Sequence, residues 1–159
     1  MALSNFERMI KLADEVFNVK DDPGQININP DVIERLKKIH PSTLSEHDDG
    51  KGPVAWVLLI PTTIYLMNSF IENKVTEKEL FELTPLDTDY EAIYLCSAMV
   101  MDEYRRQGIT TKLSLDAIGK IREDNLIKFL FVWAFSKEGE LAAETIAQLT
   151  SLPLLKRVV

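Results

Sequence analysis

The chain has 159 residues, of which 46% are hydrophobic and 27% charged, and its formal net charge is −7. This balance is typical of one globular domain with a single core and excludes a largely disordered or fibrous chain. The negative charge argues against nucleic-acid binding, which needs a basic surface. We predict one domain over residues 1–159, with a helical part at 1–53 and a sheet-containing core at 54–159.

The single cysteine and the hydropathy pattern give an expectation about location. Cys96 has no cysteine partner in the chain, so a reducing compartment is expected. The N-terminal sequence lacks the basic-then-apolar order of a signal peptide. The apolar runs at 54–60 and 129–135 are too short to cross a bilayer. We therefore expect a cytoplasmic protein that binds neither membranes nor nucleic acid.

Local patterns in the first half predict mainly helices. Apolar residues recur at helical spacing over 5–17, and Pro30 opens a second helix that ends at Pro41. The polar segment 45–53 is predicted to be a loop, and the apolar run 54–60 a buried strand. Pro61 fits the first turn of a third helix, and the capping-box residues Thr76 and Glu79 open a fourth.

The second half alternates between strand and helix patterns. Strands are predicted at 92–101, 128–135 and 154–158, and helices at 110–123 and 137–150. A strand, a helix and a strand in succession form a β-α-β unit with parallel strands. The predicted fold class is therefore α/β (α+β), a mixed central β-sheet flanked by helices on both faces.

The segment from Val100 to Leu113 carries the clearest chemical pattern. A strand ends, the chain turns at Gly108, and a helix begins, so the first amides of that helix have no intrahelical partner. Such amides bind anions, and glycine lets phosphate oxygens approach the backbone. Arg105, Arg106 and Lys112 add local positive charge. The residues alone leave an alternative equally open, a glycine that only tightens the turn beside solvated arginines.

Other phosphate-binding patterns are absent from the sequence. No Walker string of Gly, four residues and Gly-Lys-Ser/Thr occurs. The dinucleotide fingerprint needs three closely spaced glycines after a strand, whereas Gly50 and Gly52 precede one. His40 and His47 lack a spacing that specifies a metal site, so no metal is expected.

Residues 105–110, Arg-Arg-Gln-Gly-Ile-Thr, resemble the signature of the GNAT superfamily of acetyl-CoA-dependent N-acetyltransferases. That signature reads Arg/Gln-x-x-Gly-x-Gly/Ala, and this chain matches it at Arg105 and Gly108. Thr110 departs from it, because Gly or Ala is usual there. Val100 and Tyr104 also fit the usual surroundings, and the resemblance extends over residues 91–146.

The resemblance implies a GNAT-like sheet and a site for acetyl-CoA, used as a co-substrate. The pyrophosphate would contact the amides of the turn, helped by two arginines; the residues implied are Arg105, Arg106, Gln107, Gly108, Ile109 and Thr110. The pantetheine arm would pair, like an added strand, with the backbone of Ala98, Met99 and Val100. It would lie in a gap between the strands at 92–101 and 128–135, with the acetyl carbonyl near Cys96.

Acetyl transfer to an amine also needs a proton acceptor and a proton donor. Glu91, at the start of the motif strand, is the first candidate base, and Glu138 is the second. For either residue, a solvated surface carboxylate is the more common role. The family's tyrosine donor has no counterpart in residues 141–152. Ser136 is a candidate substitute, with a helix cap as its alternative role, and Tyr94 is another. Cys96 fits a core position better than a nucleophile.

The function expected from the resemblance is transfer of an acetyl group from acetyl-CoA to an amine of a small molecule or peptide. The alternative is a catalytically inactive CoA-binding or interaction module on the same fold, and a third possibility is a structural domain that binds no CoA. The apolar segment 152–159 could pair with a second copy, which makes a homodimer possible.

Overall fold

A computed structural model describes residues 7–8, 30–105, 107–134 and 136–158. The predicted helix at 5–17 lies almost wholly outside these residues. The described elements follow in chain order: α1 (Pro30–Ile39), β1 (Leu44–Asp48), β2 (Pro53–Thr62), α2 (Ile64–Ile71), α3 (Glu77–Leu83), β3 (Ala92–Val100), α4 (Ile109–Asp124), β4 (Phe129–Val132), α5 (Lys137–Thr150) and β5 (Leu154–Lys156). A single 3-10 turn at Asp102–Tyr104 follows β3.

The five strands form one mixed sheet in the order β1-β2-β3-β4-β5. The first three strands are antiparallel, whereas β4 is parallel to β3 and β5 is parallel to β4. The parallel connections run through α4 and α5, and right-handed crossovers place both helices on one face. The helices α2 and α3 cover the other face. The predicted α/β class and mixed sheet are confirmed.

The core on the α2 side is built around aromatic rings. Phe70 of α2 lies 4.9 Å from Tyr94 of β3 and 5.9 Å from Phe131 of β4, measured between ring centroids. Tyr94 and Phe131 stack at 5.1 Å across the parallel pair. Each such contact contributes about 0.5–1.5 kcal/mol beyond the area it buries. The cluster therefore fixes α2 over the point where β3 meets β4.

The prediction of a loop at 45–53 is wrong for residues 45–48 and 53, which lie in strands, and right for 49–52. Leu44–Asp48 forms a hairpin with β2 and leaves much of its surface exposed, which explains its polar sequence. An edge strand needs few apolar side chains, so the hydropathy pattern does not reveal it. The Asp48 carboxylate accepts hydrogen bonds from the amides of Gly50 and Gly52 and closes the turn. The sheet therefore begins before residue 54.

The predicted helix start at Pro61 is also wrong. Strand β2 continues to Thr62, and Thr63 caps α2 by accepting a hydrogen bond from the amide of Leu66. Pro61 pairs in register with Ile93 of β3, but β1 does not extend this far along β2. A proline is tolerated there because its missing N–H faces the unpaired side of the strand.

The remaining helices lie where the local sequence patterns predict them. The capping box at Thr76 and Glu79 is present at the start of α3, and α1, α4 and α5 lie where the helical patterns place them. Strand β4 is shorter than the predicted 128–135. Within the described residues, no helix combines the length and apolar character that a bilayer span requires.

Candidate active site

The central feature of the candidate site is a split between β3 and β4. These strands pair only over Ala92–Tyr94 and Phe129–Phe131. Strand β3 continues to Val100, whereas β4 ends at Val132. Six residues of β3, about 20 Å of extended chain, therefore run on without a partner strand on this side among the described residues. This open edge lies where the sequence resemblance expects a gap.

The backbone of the open edge has a defined orientation. The amide of Met101 donates a 2.9 Å hydrogen bond to the carbonyl of Val54, so Met101 and Met99 direct their backbone groups toward β2. Backbone groups alternate along a strand, so those of Ala98 and Val100 point toward the open edge. Two of the three predicted residues thus offer backbone hydrogen bonds there, while the buried Met99 side chain packs near Val54.

A bulge interrupts β3 within this open edge. Leu58 of β2 pairs with Ser97 and Leu59 pairs with Leu95, so Cys96 is the extra residue. A bulge bends the strand and changes the direction of its side chains and amides. Cys96 lies two residues beyond Tyr94, the last residue that pairs with β4. The bulge therefore sits where the two strands begin to separate.

Gly108 forms the turn that leads from β3 into α4. Its φ of 73° is left-handed, and a Cβ added here would meet no atom within 4 Å. No side chain caps α4 at this position. The amides of Ile109, Thr110 and Thr111 occupy the first turn of the helix, where no intrahelical partner exists. This turn is an exposed, uncapped helix start that can accept an anion.

The charged residues that the structure describes just before Gly108 form ion pairs. Arg105 is exposed and lies 3.2 Å from the Asp102 carboxylate. Arg8 contacts Glu103 at 2.7 Å, and this hydrogen bond lowers the pKa of Glu103. The amide side chain of Gln107 donates to the carbonyl of Glu103. An anion at the turn would compete with Asp102 for Arg105.

Of the other predicted residues near the turn, Thr110 is half-buried in the first turn of α4. Arg106 lies outside the described residues.

The two predicted catalytic residues lie at opposite ends of the strands. Glu91 immediately precedes β3 at its paired end, where its carboxylate lies 3.3 Å from the Lys128 ammonium. Five residues separate it from Cys96, about 16 Å along a strand. Ser136 follows β4 at the same edge of the sheet as the split, and its hydroxyl accepts a 3.0 Å hydrogen bond from the amide of Gly139. Glu138 is exposed in the first turn of α5.

Sequence reasoning missed a buried carboxylate at the split. Glu77, the first residue of α3, is only 8% exposed. The Tyr94 hydroxyl donates to its Oε2 at 3.0 Å, and the Cys96 thiol donates to its Oε1 at 3.3 Å. In the sequence, Glu77 looks like an ordinary acidic residue after the helix cap Thr76. No local signal joins it to a strand residue that lies 19 positions away.

Burial changes the proton chemistry of this cluster. Burial, reinforced by the Glu77 charge, raises the pKa of the Cys96 thiol well above its usual value. Burial likewise raises the pKa of Tyr94. Both side chains therefore keep their protons at neutral pH and act as hydrogen-bond donors to the carboxylate. The described residues contain no group of three or more potential ligands arranged to hold a metal ion.

No family model matches the sequence, and no curated protein matches it. The chain is similar to solved acetyltransferase structures. One is an aminoglycoside acetyltransferase from an uncultured soil metagenomic sample, solved with trehalose and with sisomicin. It is 18% identical, with 92% of this chain and 82% of that chain covered and TM-scores of 0.49 and 0.48.

Another is Chaetomium thermophilum Naa20 in complex with a bisubstrate analogue, at 16% identity and a TM-score of 0.48. The aligned region covers 91% of this chain and 65% of that chain. Similarity at this level assigns neither a substrate nor a set of catalytic residues, so the geometry of the site carries the functional argument.

Proposed function

We propose that the protein is an N-acetyltransferase that moves the acetyl group of acetyl-CoA to an amine of a small molecule or peptide. The observation that carries this proposal is the order of three features along one segment. The bulge at Cys96 comes first, the open backbone at Ala98 and Val100 follows, and the uncapped helix start at Gly108 comes last. This is also the order of the thioester, the pantetheine amides and the pyrophosphate along acetyl-CoA.

Each part of the cofactor meets a matching group in this arrangement. The pantetheine arm carries amides that pair with the open edge of β3 as an added strand would. The pyrophosphate accepts hydrogen bonds from the amides of Ile109 and Thr110 at the positive end of α4. A backbone amide at the bulge polarises the thioester carbonyl. The residues proposed to hold acetyl-CoA are Ala98, Met99, Val100, Arg105, Arg106, Gln107, Gly108, Ile109 and Thr110.

A second candidate function is a CoA-binding module without turnover. It is favoured by α5, which contains no tyrosine that could protonate the leaving thiolate. In that case the same open edge and turn would bind the cofactor and no amine would be acetylated. Ser136 is the proposed substitute donor of a proton to the CoA thiolate. A binding module without turnover needs no such donor, so the role of Ser136 distinguishes the two functions.

The test compares Gly108→Glu with Gly119→Glu. Both substitutions add one negative charge to the same helix region, but Gly119 is exposed in the middle of α4, about 16 Å further along its axis. We expect acetyl-CoA to raise the Tm of the wild type and of Gly119→Glu, but not that of Gly108→Glu. Thiol release over a panel of amines should follow the same order.

The result for the wild type separates the candidates. A rise in Tm with acetyl-CoA and thiol release on an amine support the transferase. A rise in Tm without thiol release supports the binding module. No rise at saturating acetyl-CoA contradicts both and leaves a structural domain.

A further inference from the structure

We propose that Glu77 is the proton acceptor of the acetyl transfer and that Cys96 passes the proton to it. The inference rests on the proposed function and names the residues that would perform its proton transfer. It replaces Glu91 in that role. The juxtaposition that carries it is the contact of a buried carboxylate with the bulge residue of β3, at the point where β3 and β4 separate.

The geometry divides the two oxygens of Glu77 between two donors. Oε1 accepts from the Cys96 thiol at 3.3 Å, and Oε2 accepts from the Tyr94 hydroxyl at 3.0 Å. Tyr94 is fully buried in the aromatic cluster, whereas Cys96, the bulge residue beside the open edge, is only partly buried as a whole residue. Cys96 therefore links the buried carboxylate to the place where an acceptor amine would meet the thioester.

The surroundings hold the Glu77 carboxylate in place. The carboxylate lies at the first residue of α3, where the helix dipole stabilises negative charge. Tyr94 and Cys96 face it from β3. Arg157, from the segment after β5, acts electrostatically on Tyr94 and lies 4.4 Å from the Phe70 ring centroid. The Tyr94 hydroxyl and the Cys96 thiol thus each donate to one oxygen of the buried Glu77 carboxylate.

The same arrangement argues against Cys96 as the group that attacks the thioester. Nucleophilic cysteines lie in electropositive surroundings that lower the thiol pKa. Here burial and the Glu77 carboxylate raise the pKa of the thiol instead. A thiol that keeps its proton and already donates to a carboxylate is suited to passing a proton on.

The reaction balances with these groups. The neutral amine attacks the thioester carbonyl, and a C–N bond forms while the nitrogen gains positive charge. The π electrons of the carbonyl move to its oxygen and return to re-form the C=O bond when the C–S bond breaks. Cys96 takes a proton from this nitrogen as its own proton moves to Glu77. The C–S bond to CoA then breaks, and its electron pair stays on the CoA sulfur. Glu77 returns the proton to that sulfur through Cys96, a route that the Ser136 variants in the Discussion compare with donation by Ser136. The products are the amide and CoA thiol, and the protein is unchanged.

The main test compares Glu77→Gln with Glu79→Gln, using acetyl-CoA and the amine that the wild type acetylates fastest. Both residues lie in the first turn of α3, so the change in helix electrostatics is matched, but Glu79 is exposed and contacts only the cap in the described structure. We expect kcat to fall about 100-fold or more in Glu77→Gln and to stay near the wild-type value in Glu79→Gln and Glu91→Gln. The Tm rise with acetyl-CoA should be unchanged in all three.

Three further variants give readouts that a structural role would not change. Tyr94→Phe removes a hydrogen bond to Oε2, so the carboxylate holds its proton more tightly and the acidic limb of kcat/KM moves to higher pH. Cys96→Ser keeps a group that can pass the proton, whereas Cys96→Ala removes it. We expect Cys96→Ser to retain most of the activity and Cys96→Ala to lose as much as Glu77→Gln.

Three outcomes overturn the inference. If the wild type is active but Glu77→Gln matches Glu79→Gln in kcat and pH profile, the inference fails while the proposed function stands. Equal activity of Cys96→Ser and Cys96→Ala removes the relay. A wild type that binds acetyl-CoA but acetylates no amine overturns the transferase and this inference together.

Discussion

The amide of Lys112 donates a 2.9 Å hydrogen bond to the carbonyl of Gly108, and this bond marks the start of α4. It is the first bond of the helical ladder, so the three amides before it have no helical acceptor. Gly108 itself contributes no side chain that could cap them. The helix thus begins with unused donors beside the end of the open β3 edge, which is the physical basis of the proposed pyrophosphate contact.

The first prediction concerns the backbone at Gly108. Gly108→Ala should lower the free energy of unfolding by about 1 kcal/mol, because a φ of 73° is unfavourable for a residue with a Cβ. Nothing lies within 4 Å of the added Cβ, so no clash adds to this cost. Gly119→Ala should raise the free energy of unfolding by about 0.5–1 kcal/mol, because alanine is the better helix former.

Urea denaturation of the two alanine variants measures both effects. The pair is informative because each variant adds one methyl group at a position with nothing within 4 Å, while the backbone is left-handed at Gly108 and helical at Gly119. A Gly108→Ala variant as stable as the wild type would show that Gly108 does not hold the left-handed turn in solution.

Local signals made part of this site predictable. The turn at Gly108 follows from a strand pattern, a glycine and a helix pattern within a few residues. The capping box at Thr76 is likewise set by residues three positions apart. Helix α5 was predicted at its observed bounds because its cap and its periodicity lie in one continuous segment. An element that is determined by residues close together in the sequence can be predicted from the sequence alone.

The split and the buried carboxylate depend on distant pairings. Strands β3 and β4 separate just after the stacked pair Tyr94 and Phe131, because β4 is short. The partner of Glu77 is set by how α3 packs on the sheet. Strand β1 was missed because its pairing with β2, not its hydropathy, makes it a strand. The sequence places Glu91 at the start of the motif strand, but its position along the chain does not show its distance from Cys96 in the sheet.

The second prediction separates two roles of Ser136. Ser136→Ala should lower the free energy of unfolding by about 1 kcal/mol, because it removes the cap that accepts from the Gly139 amide. Ser136→Gly should cost only a few tenths of a kcal/mol, since glycine is tolerated at helix caps. Both variants lack the hydroxyl, but Ser136→Gly should lose much less stability than Ser136→Ala. The glycine variant therefore tests the hydroxyl with little effect on folding.

Activity then decides between the cap and the proton donor. If Ser136 protonates the CoA thiolate, kcat for thiol release falls in Ser136→Gly as much as in Ser136→Ala. An unchanged kcat in the glycine variant, with normal acetyl-CoA binding, would limit Ser136 to capping α5. The proton would then return to the thiolate from Glu77 or from water.

The last prediction follows from the buried thiol of Cys96. Burial and the Glu77 carboxylate raise its pKa in the folded protein, so the unfolded chain loses this proton first as the pH rises. The stabilisation is fully present below the unfolded thiol pKa of about 8.5 and is lost above it, at about 1.4 kcal/mol per pH unit. Urea denaturation from pH 7 to 10 measures the slope, and Cys96→Ser, which does not titrate in this range, is the control. Parallel curves for the two proteins would mean that the folded protein does not hold the thiol protonated, whereas curves that diverge above pH 8.5 show, independently of any catalytic assay, that it does.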